Sequence, residues 1–357
     1  MINQIKPVLG KKAKQALFDY IKKDNWLTEH KVTENFEKKF AKFSNSKHCI
    51  TFPNGTITMS SILDCLNLKK NSEVLVSNYT MVATANVANA VGLKTILVDI
   101  SDKDLCMCPV DLMKKINKKT KVVIYTHMNG RIGHIEKIRN ICKKNKLFLI
   151  EDSAHAIGSY LKKTHVGTFG IAGSFSFSMP KLIAMGQGGA VVTNNSALAK
   201  KLRLYKNFGR RRSGEDIHYT IGYNFKITDM QSVIAIEQLK DIKKRIFKKK
   251  EIFKRYRRNL LNNSKIIMIE MKKNETPWSV DIYLKGVKNL KKKLEKYKIY
   301  TRVVYPPLNT QKIYSKFKNF PISDYYCNNG LWLPSSLDLK NSEIDKICKL
   351  INRYTDL

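Results

Sequence analysis

No stretch of the 357-residue chain approaches the roughly 18 consecutive apolar residues that a membrane-spanning helix needs. Its first residues, MINQIKPVLGKKAKQ, hold no apolar signal core. Neither an internal repeat nor a low-complexity linker is present. The cysteines (Cys49, Cys65, Cys106, Cys108, Cys142, Cys327, Cys348) are odd in number and follow no disulfide framework. Cys106 and Cys108 stand too close for the usual zinc pair, so no metal site is expected. These absences predict a soluble, cytoplasmic protein with reduced thiols and no membrane span. Acidic residues are also scarce: 29 Asp and Glu face 66 Lys and Arg, a net charge of +37. Such an excess invites a nucleic-acid partner, yet it is spread thinly, as in Lys114-Lys115, Lys143-Lys144, Lys200-Lys201 and Lys291-Lys292-Lys293. Its densest run, Lys240 to Arg258, is interleaved with Ile242, Ile246, Phe247, Ile252, Phe253 and Tyr256, the pattern of an amphipathic helix with a solvated basic side. A specific nucleic-acid partner is therefore not expected, although a surface of this charge binds polyanions non-specifically at low salt.

What is present is alternation. Apolar, β-branched runs at Glu73–Ser77, Thr95–Ile100, Lys121–Thr126 and Leu147–Glu151 alternate with helical patterns at Thr56–Leu68, Thr80–Val91, Val110–Lys118 and Ile135–Asn145. Two further strands are predicted at Ser174–Ser178 and Ala190–Thr193. This order predicts an α/β fold: a mostly parallel sheet with helices on both faces. A long helical stretch, about Thr228 to Leu261, leads into a mixture of strands (Ile266–Ile269, Val280–Leu284) and helices (Lys288–Tyr297, Glu343–Tyr354). The reading is a large domain over residues 1–240 and a smaller α+β domain over 241–357. Ligands of such sheets bind beyond the carboxyl ends of the strands. The turns at Ser77-Asn78-Tyr79-Thr80 and His127-Met128-Asn129-Gly130 should therefore line one crevice with Asp152.

The segment Lys146–Asn194 carries the chemistry. Leu147-Phe148-Leu149-Ile150 ends abruptly in Glu151-Asp152, and Lys181 follows between a serine-bearing strand and the glycine turn Gly186-Gln187-Gly188-Gly189. A carboxylate at the end of a buried strand, with a lysine on a turn, is what pyridoxal phosphate chemistry requires. The lysine forms a Schiff base, and the carboxylate keeps the pyridine nitrogen protonated so that the ring acts as an electron sink. Pro53-Asn54-Gly55-Thr56 precedes a helix, where it reads either as an ordinary N-cap or as an anion-binding turn. Ser174, Ser176 and Ser178 alternate on a strand before Lys181, and one of them could donate to a phosphate.

At these residues the chain resembles the nucleotide-sugar aminotransferases of the DegT/StrS family, fold type I pyridoxal phosphate enzymes, nearly end to end. Asn54-Gly55-Thr56, Asn78 to Thr84, Glu151 to Gly158, Ser174 to Gly189, Gly222-Tyr223-Asn224-Phe225-Lys226 and Gln238-Leu239 each match a family segment. The resemblance implies a seven-stranded-type sheet and a homodimer with shared active sites. It also implies pyridoxal 5'-phosphate held by Lys181, with Asp152 on the ring nitrogen and His155 beside the ring and its 3-oxygen. Gly55, Thr56 and Ser176 would hold the phosphate, joined by Asn224 from the other chain. Met81 stands where the family usually stacks an aromatic ring, Gln187 replaces a common glutamate, Lys226 a common arginine, and Asn309 a frequent histidine near the substrate. Arg210-Arg211-Arg212 is either a solvated loop or a receiver for phosphates or carboxylates. The expected reaction moves an amino group from L-glutamate to a nucleotide-linked keto-sugar in surface-glycan biosynthesis. The alternatives are a small phosphorylated ketone such as a triose phosphate as acceptor, and a non-catalytic, polyanion-binding relative. Relatives that dehydrate sugars carry histidine in place of Lys181, which favours transamination here.

Overall fold

In the apolar runs consecutive residues are mostly buried, which a strand achieves only when both faces of its sheet are covered. A computed structural model describes residues 1–212 and 214–355. Twelve strands are found among them: β1 (His48–Phe52), β2 (Glu73–Ser77), β3 (Lys94–Val98), β4 (Thr120–Thr126), β5 (Phe148–Asp152), β6 (Tyr160–Leu161), β7 (Thr164–His165), β8 (Ala172–Ser176), β9 (Gly189–Thr193), β10 (Val280–Tyr283), β11 (Arg302–Val303) and β12 (Gly330–Leu333). Seven form one sheet in the order β1-β9-β8-β5-β4-β2-β3, parallel except that β9 runs against both neighbours. The fold is the α/β arrangement expected. Alternate side chains feed two cores: Val123, Tyr125 and Leu149 enter one, and Val122, Ile124 and Ile150 the other. The chain reverses its direction of travel across the sheet between β2 and β4, so a crevice opens beyond their carboxyl ends. β10, β12 and β11 form a second, antiparallel sheet, and β6 and β7 a hairpin.

The long helix expected over 228–261 is two, Asp229–Lys240 and Ile242–Leu260, because Asp241 between them leaves helical geometry (φ −94°, ψ 9°). Ile252, Phe253, Tyr256 and Leu260 of the second helix pack into the core of the second sheet. Of the strand expected at 266–269 only a single bridge, Ile267 to Tyr283, forms. At the other end of the chain, Ile2 pairs with Ile299.

One buried ion pair joins the two sheets. Arg131, just past β4, donates two hydrogen bonds to Asp281 of β10, at 2.9 and 2.8 Å, and both side chains are fully shielded. Asn129 Nδ2 and Tyr283 Oη also donate to this carboxylate, at 2.9 and 2.7 Å. Breaking a buried pair leaves an uncompensated charge in a medium that solvates it poorly. Asp281→Ala should therefore lose about 3–5 kcal/mol of stability, whereas Arg131→Met with Asp281→Leu should recover most of it. Denaturant unfolding of both variants checks this; equal losses would mean that pairing is not what matters.

Candidate active site

A cavity of about 790 Å³ opens beyond the carboxyl ends of β4, β5 and β8. Asp152, the last residue of β5, faces it and is 5% exposed. Its carboxylate accepts from Thr84 Oγ1 at 2.7 Å and from the Ala154 amide at 3.2 Å. Lys181 lines the same cavity from the β8–β9 connection. Its side chain keeps some surface open to the cavity, but protein surrounds the amine. Burial pulls its pKa down to about 8, against the opposing pull of the Asp152 charge. The lysine loop is held from several sides. Gln238 exchanges hydrogen bonds with both backbone groups of Ala184 (2.9 and 2.6 Å), Arg245 donates to the Leu182 carbonyl (3.0 Å), and Trp278 Nε1 donates to the Pro180 carbonyl (2.8 Å).

His155 is stacked face to face on Trp278, centroids 4.0 Å apart and planes 5° off parallel. Burial, then the charges of Lys181 and Arg302, hold its pKa well below the usual histidine range, so the ring is neutral. Its Nδ1 is buried and meets no hydrogen-bond partner among the described residues. Asn54 caps the helix Gly55–Cys65 by accepting from the Ile57 amide at 2.9 Å. The amides of Gly55 and Thr56 are left at the open helix start, where the macrodipole favours an anion. Gly55 also lets this helix approach β8 closely, since a Cβ there would lie 3.1 Å from that of Ser176. Ser176, Ser178 and Met81 complete this side of the cavity. Met81 is 44% exposed, and its sulfur accepts from the Ala83 amide.

A model of the DegT/DnrJ/EryC1/StrS aminotransferase family matches residues 8–352. The chain belongs to this family. It is 33% identical over 327 residues to a GDP-perosamine synthase of Escherichia coli O157:H7, covering 90% of this chain and 89% of the relative. It is 31% identical to the GDP-perosamine synthase of Vibrio cholerae over 99% of both chains. The solved structure of Helicobacter pylori PseC, an aminotransferase involved in the biosynthesis of pseudoaminic acid, superposes with a TM-score of 0.95 at 25% identity over 99% of each chain. The protein is a pyridoxal phosphate-dependent aminotransferase. The cavity fits that cofactor: it offers a low-pKa amine, a carboxylate, a polar cradle at a helix start and a buried ring nitrogen lacking a partner.

Several residues singled out in the sequence stand elsewhere in the aminotransferase. Asn224 is exposed and bridges Asn207 rather than lining the cavity of its own chain. Arg210 packs over Phe208 and pairs with Asp216 at 3.5 Å, and Arg211 lies over the Tyr219 ring at 4.0 Å. Asn309 accepts from Asn78 Nδ2 through its side-chain oxygen and donates its backbone N–H to Asn78 Oδ1, both at 2.9 Å, and it does not line the cavity. The His127–Gly130 turn does not line the crevice either. His127 is committed to Glu151 and Asn129 to Asp281 and Ser279, leaving Thr126 alone at the cavity wall. From the turn after β2 only Thr80 reaches it, for Tyr79 is buried in the core.

Sequence reasoning missed Trp278, Arg302, Tyr305 and the N-terminal Gln4, Ile5 and Pro7, all of which line the cavity. Trp278 had one signal, since the chain contains only three tryptophans. Its indole lies under the Lys181 ammonium (4.9 Å), and its carbonyl accepts from Lys249 Nζ at 2.5 Å. Lys249 also donates to the Ser335 carbonyl at 2.7 Å, and burial pushes its pKa down to about 7. Between that value and the ordinary lysine range the unfolded chain holds a proton that the folded chain does not. Stability therefore rises with pH across this window, by up to about 1.4 kcal/mol per unit, and the full cost is felt below pH 7. Lys249→Met removes this dependence, so wild-type stability should gain on the variant's between pH 7 and 9. Parallel thermal-midpoint curves over that range would exclude the effect.

Proposed function

We propose that this aminotransferase moves an amino group from L-glutamate to the ketone of a nucleotide-linked sugar, in the cytoplasm, as a step towards surface glycans. One observation carries the reading: the Lys181 amine, brought to a pKa of about 8, shares a cavity with the Asp152 carboxylate, which is itself held by Thr84. The names of the 33% and 31% identical relatives support a nucleotide-linked sugar over a triose phosphate. A cavity of 790 Å³ likewise has room for more than a three-carbon acceptor.

Pyridoxal phosphate, when bound, supplies an electron sink for the carbon that loses or gains the amine. In this reading Lys181 Nζ would hold the cofactor through its aldehyde group and would carry the proton to and from the reacting carbon. An amine with a pKa near the working pH suits both duties. Asp152 would hold the ring nitrogen and its proton, His155 would serve the 3-oxygen, and Met81 would pack on the ring. Gly55, Thr56 and Ser176 would hold the phosphate at the helix start. Asn224, exposed and away from its own cavity, would hold the phosphate in a second copy, which would make the homodimer the active form. Arg210 and Arg211 belong to the same surface stretch and would meet the anionic substrate there.

An absorbance spectrum before and after adding L-glutamate tests the donor and the cofactor together. The cofactor band should bleach to that of the aminated form, and 2-oxoglutarate should restore it. A band indifferent to glutamate would exclude this donor. Asp152→Asn should keep the cofactor bound and lower turnover at least ~100-fold; unchanged turnover would remove the role given to Asp152.

A further inference from the structure

Three charged side chains line the cavity: Asp152, Lys181 and Arg302. The first two have assignments, and the third has none. Arg302 lies on β11, and its guanidinium carbon is 5.5 Å from the Tyr305 ring and 5.6 Å from that of Trp332. Those two rings meet edge to face, 4.7 Å apart at 87°, so they brace the guanidinium from a rigid corner. Cation–π contacts of this kind use no N–H donor in a hydrogen bond, so the donors stay available to another partner.

Some arginines in this chain are spent on carboxylates: Arg131 on Asp281, Arg203 on Glu37 and Arg255 on Asp345. Among the described residues no carboxylate pairs with Arg302. Arg302 is solvent-exposed, and what distinguishes it from other unpaired cations is that it lines the reaction cavity beside two aromatic rings. The neighbouring phenol does not neutralise it, because burial pushes the Tyr305 pKa up to about 12. The Trp278 indole under the Lys181 ammonium (4.9 Å) meets the Trp332 ring at 5.1 Å, and Arg302 lies by that second ring. The two cations thus stand at adjoining rings of one wall.

The geometry points to Arg302 as the residue that receives a carboxylate of the amino donor. In an α-amino acid the carbon that carries the amine also carries a carboxylate. A donor presenting its nitrogen near Lys181 thus holds an anion close to that atom. The fork of N–H groups fits a carboxylate in two parallel bonds, which a lysine cannot match. Arg302 would be a specificity determinant of the first half-reaction: it admits amino acids and disfavours simple amines. The assignment rests on the amino-acid donor proposed above and is independent of which sugar accepts the amine.

The test uses the cofactor-loaded enzyme, wild type, Arg302→Gln and Arg302→Lys, with glutarate as an unreactive dicarboxylate. Calorimetric titration should show glutarate binding weakened about 10- to 100-fold by Arg302→Gln, the range expected for losing hydrogen bonds to a charged group. Arg302→Lys should fall between. The glutamate concentration giving half-maximal bleaching of the cofactor band should rise in step. The band position and the melting temperature should stay unchanged, which separates lost recognition from lost structure. Equal glutarate affinity in wild type and Arg302→Gln would overturn the proposal, as would no glutarate binding by the wild type. It would also fall if the substitution weakened inorganic pyrophosphate binding and left glutarate untouched, for Arg302 would then serve the phosphates of the acceptor. If wild type ignores glutamate, the donor assignment fails separately, and the glutarate titration still decides Arg302.

Discussion

Glu151 sits with no solvent contact at the end of β5, and a carboxylate buried there is tolerable only if every oxygen is hydrogen-bonded. Four donors meet it: His127 Nε2 at 2.9 Å and the amides of Gly167, Phe169 and Gly170 at 2.7, 2.6 and 2.8 Å. The requirement fixes more than one side chain. It pins the turn after β4 through His127 and shapes the loop that delivers the chain into β8. Gly170 in that loop must be glycine, since a Cβ would lie 2.2 Å from the Leu149 carbonyl. Because side chains alternate along a strand, anchoring Glu151 on one face aims Asp152 at the cavity on the other. The position of the cavity carboxylate is thus inherited from its neighbour's burial.

The opposite wall of the cavity comes from the far end of the chain and needs its own anchor. Arg131 and Asp281 tie β10 to the turn after β4, and Trp278 lies three residues before Asp281. Trp278 then touches most of what matters: the Pro180 carbonyl next to Lys181, the His155 ring, the Trp332 ring and, through its own carbonyl, Lys249. Arg245 performs a similar service for the N-terminal segment, donating to the carbonyls of Val8 and Leu9 as well as of Leu182. The segment carrying Gln4, Ile5 and Pro7 is held at the cavity in this way, although nothing in its own sequence announces a site.

Features that depend on local chemistry were legible in the sequence. The buried strands announced themselves by unbroken apolar runs, and Asp152 and Lys181 by a strand that ends in acids and a lysine before a glycine turn. What was not legible depends on partners far along the chain. The helix Lys31–Ser44 went unseen because its own N-terminal residue provides no cap. The amides of His30, Val32 and Thr33 are satisfied instead by Asp229, some two hundred positions away. The strand β11 is two residues long and carries no periodicity, yet it supplies Arg302 to the cavity. The His127 turn was expected near the ligand by its place after a strand, and Asn309 by the family resemblance. His127 is held instead by Glu151 and Asn309 by Asn78, a competition that no single segment displays.

Scarcity of acids gives the remaining charges their meaning. With 29 carboxylate side chains against 66 cations, each buried carboxylate has been placed where something depends on it. Glu37 and Glu29 neutralise the buried Lys206, Asp281 the buried Arg131, and Asp229 caps a helix. Among the described residues only Asp152 in the cavity is available to offset Lys181 and Arg302. Burial first, and then the charges of those two cations, disfavour a proton on His155. His155 accordingly stacks on Trp278 as a neutral ring, with Nδ1 left unpartnered in the protein. An unpartnered buried nitrogen costs stability, and a bound group that meets it would recover that cost. The cavity thus sets two cations and a neutral histidine around one carboxylate, a charge balance that an anionic cofactor would complete.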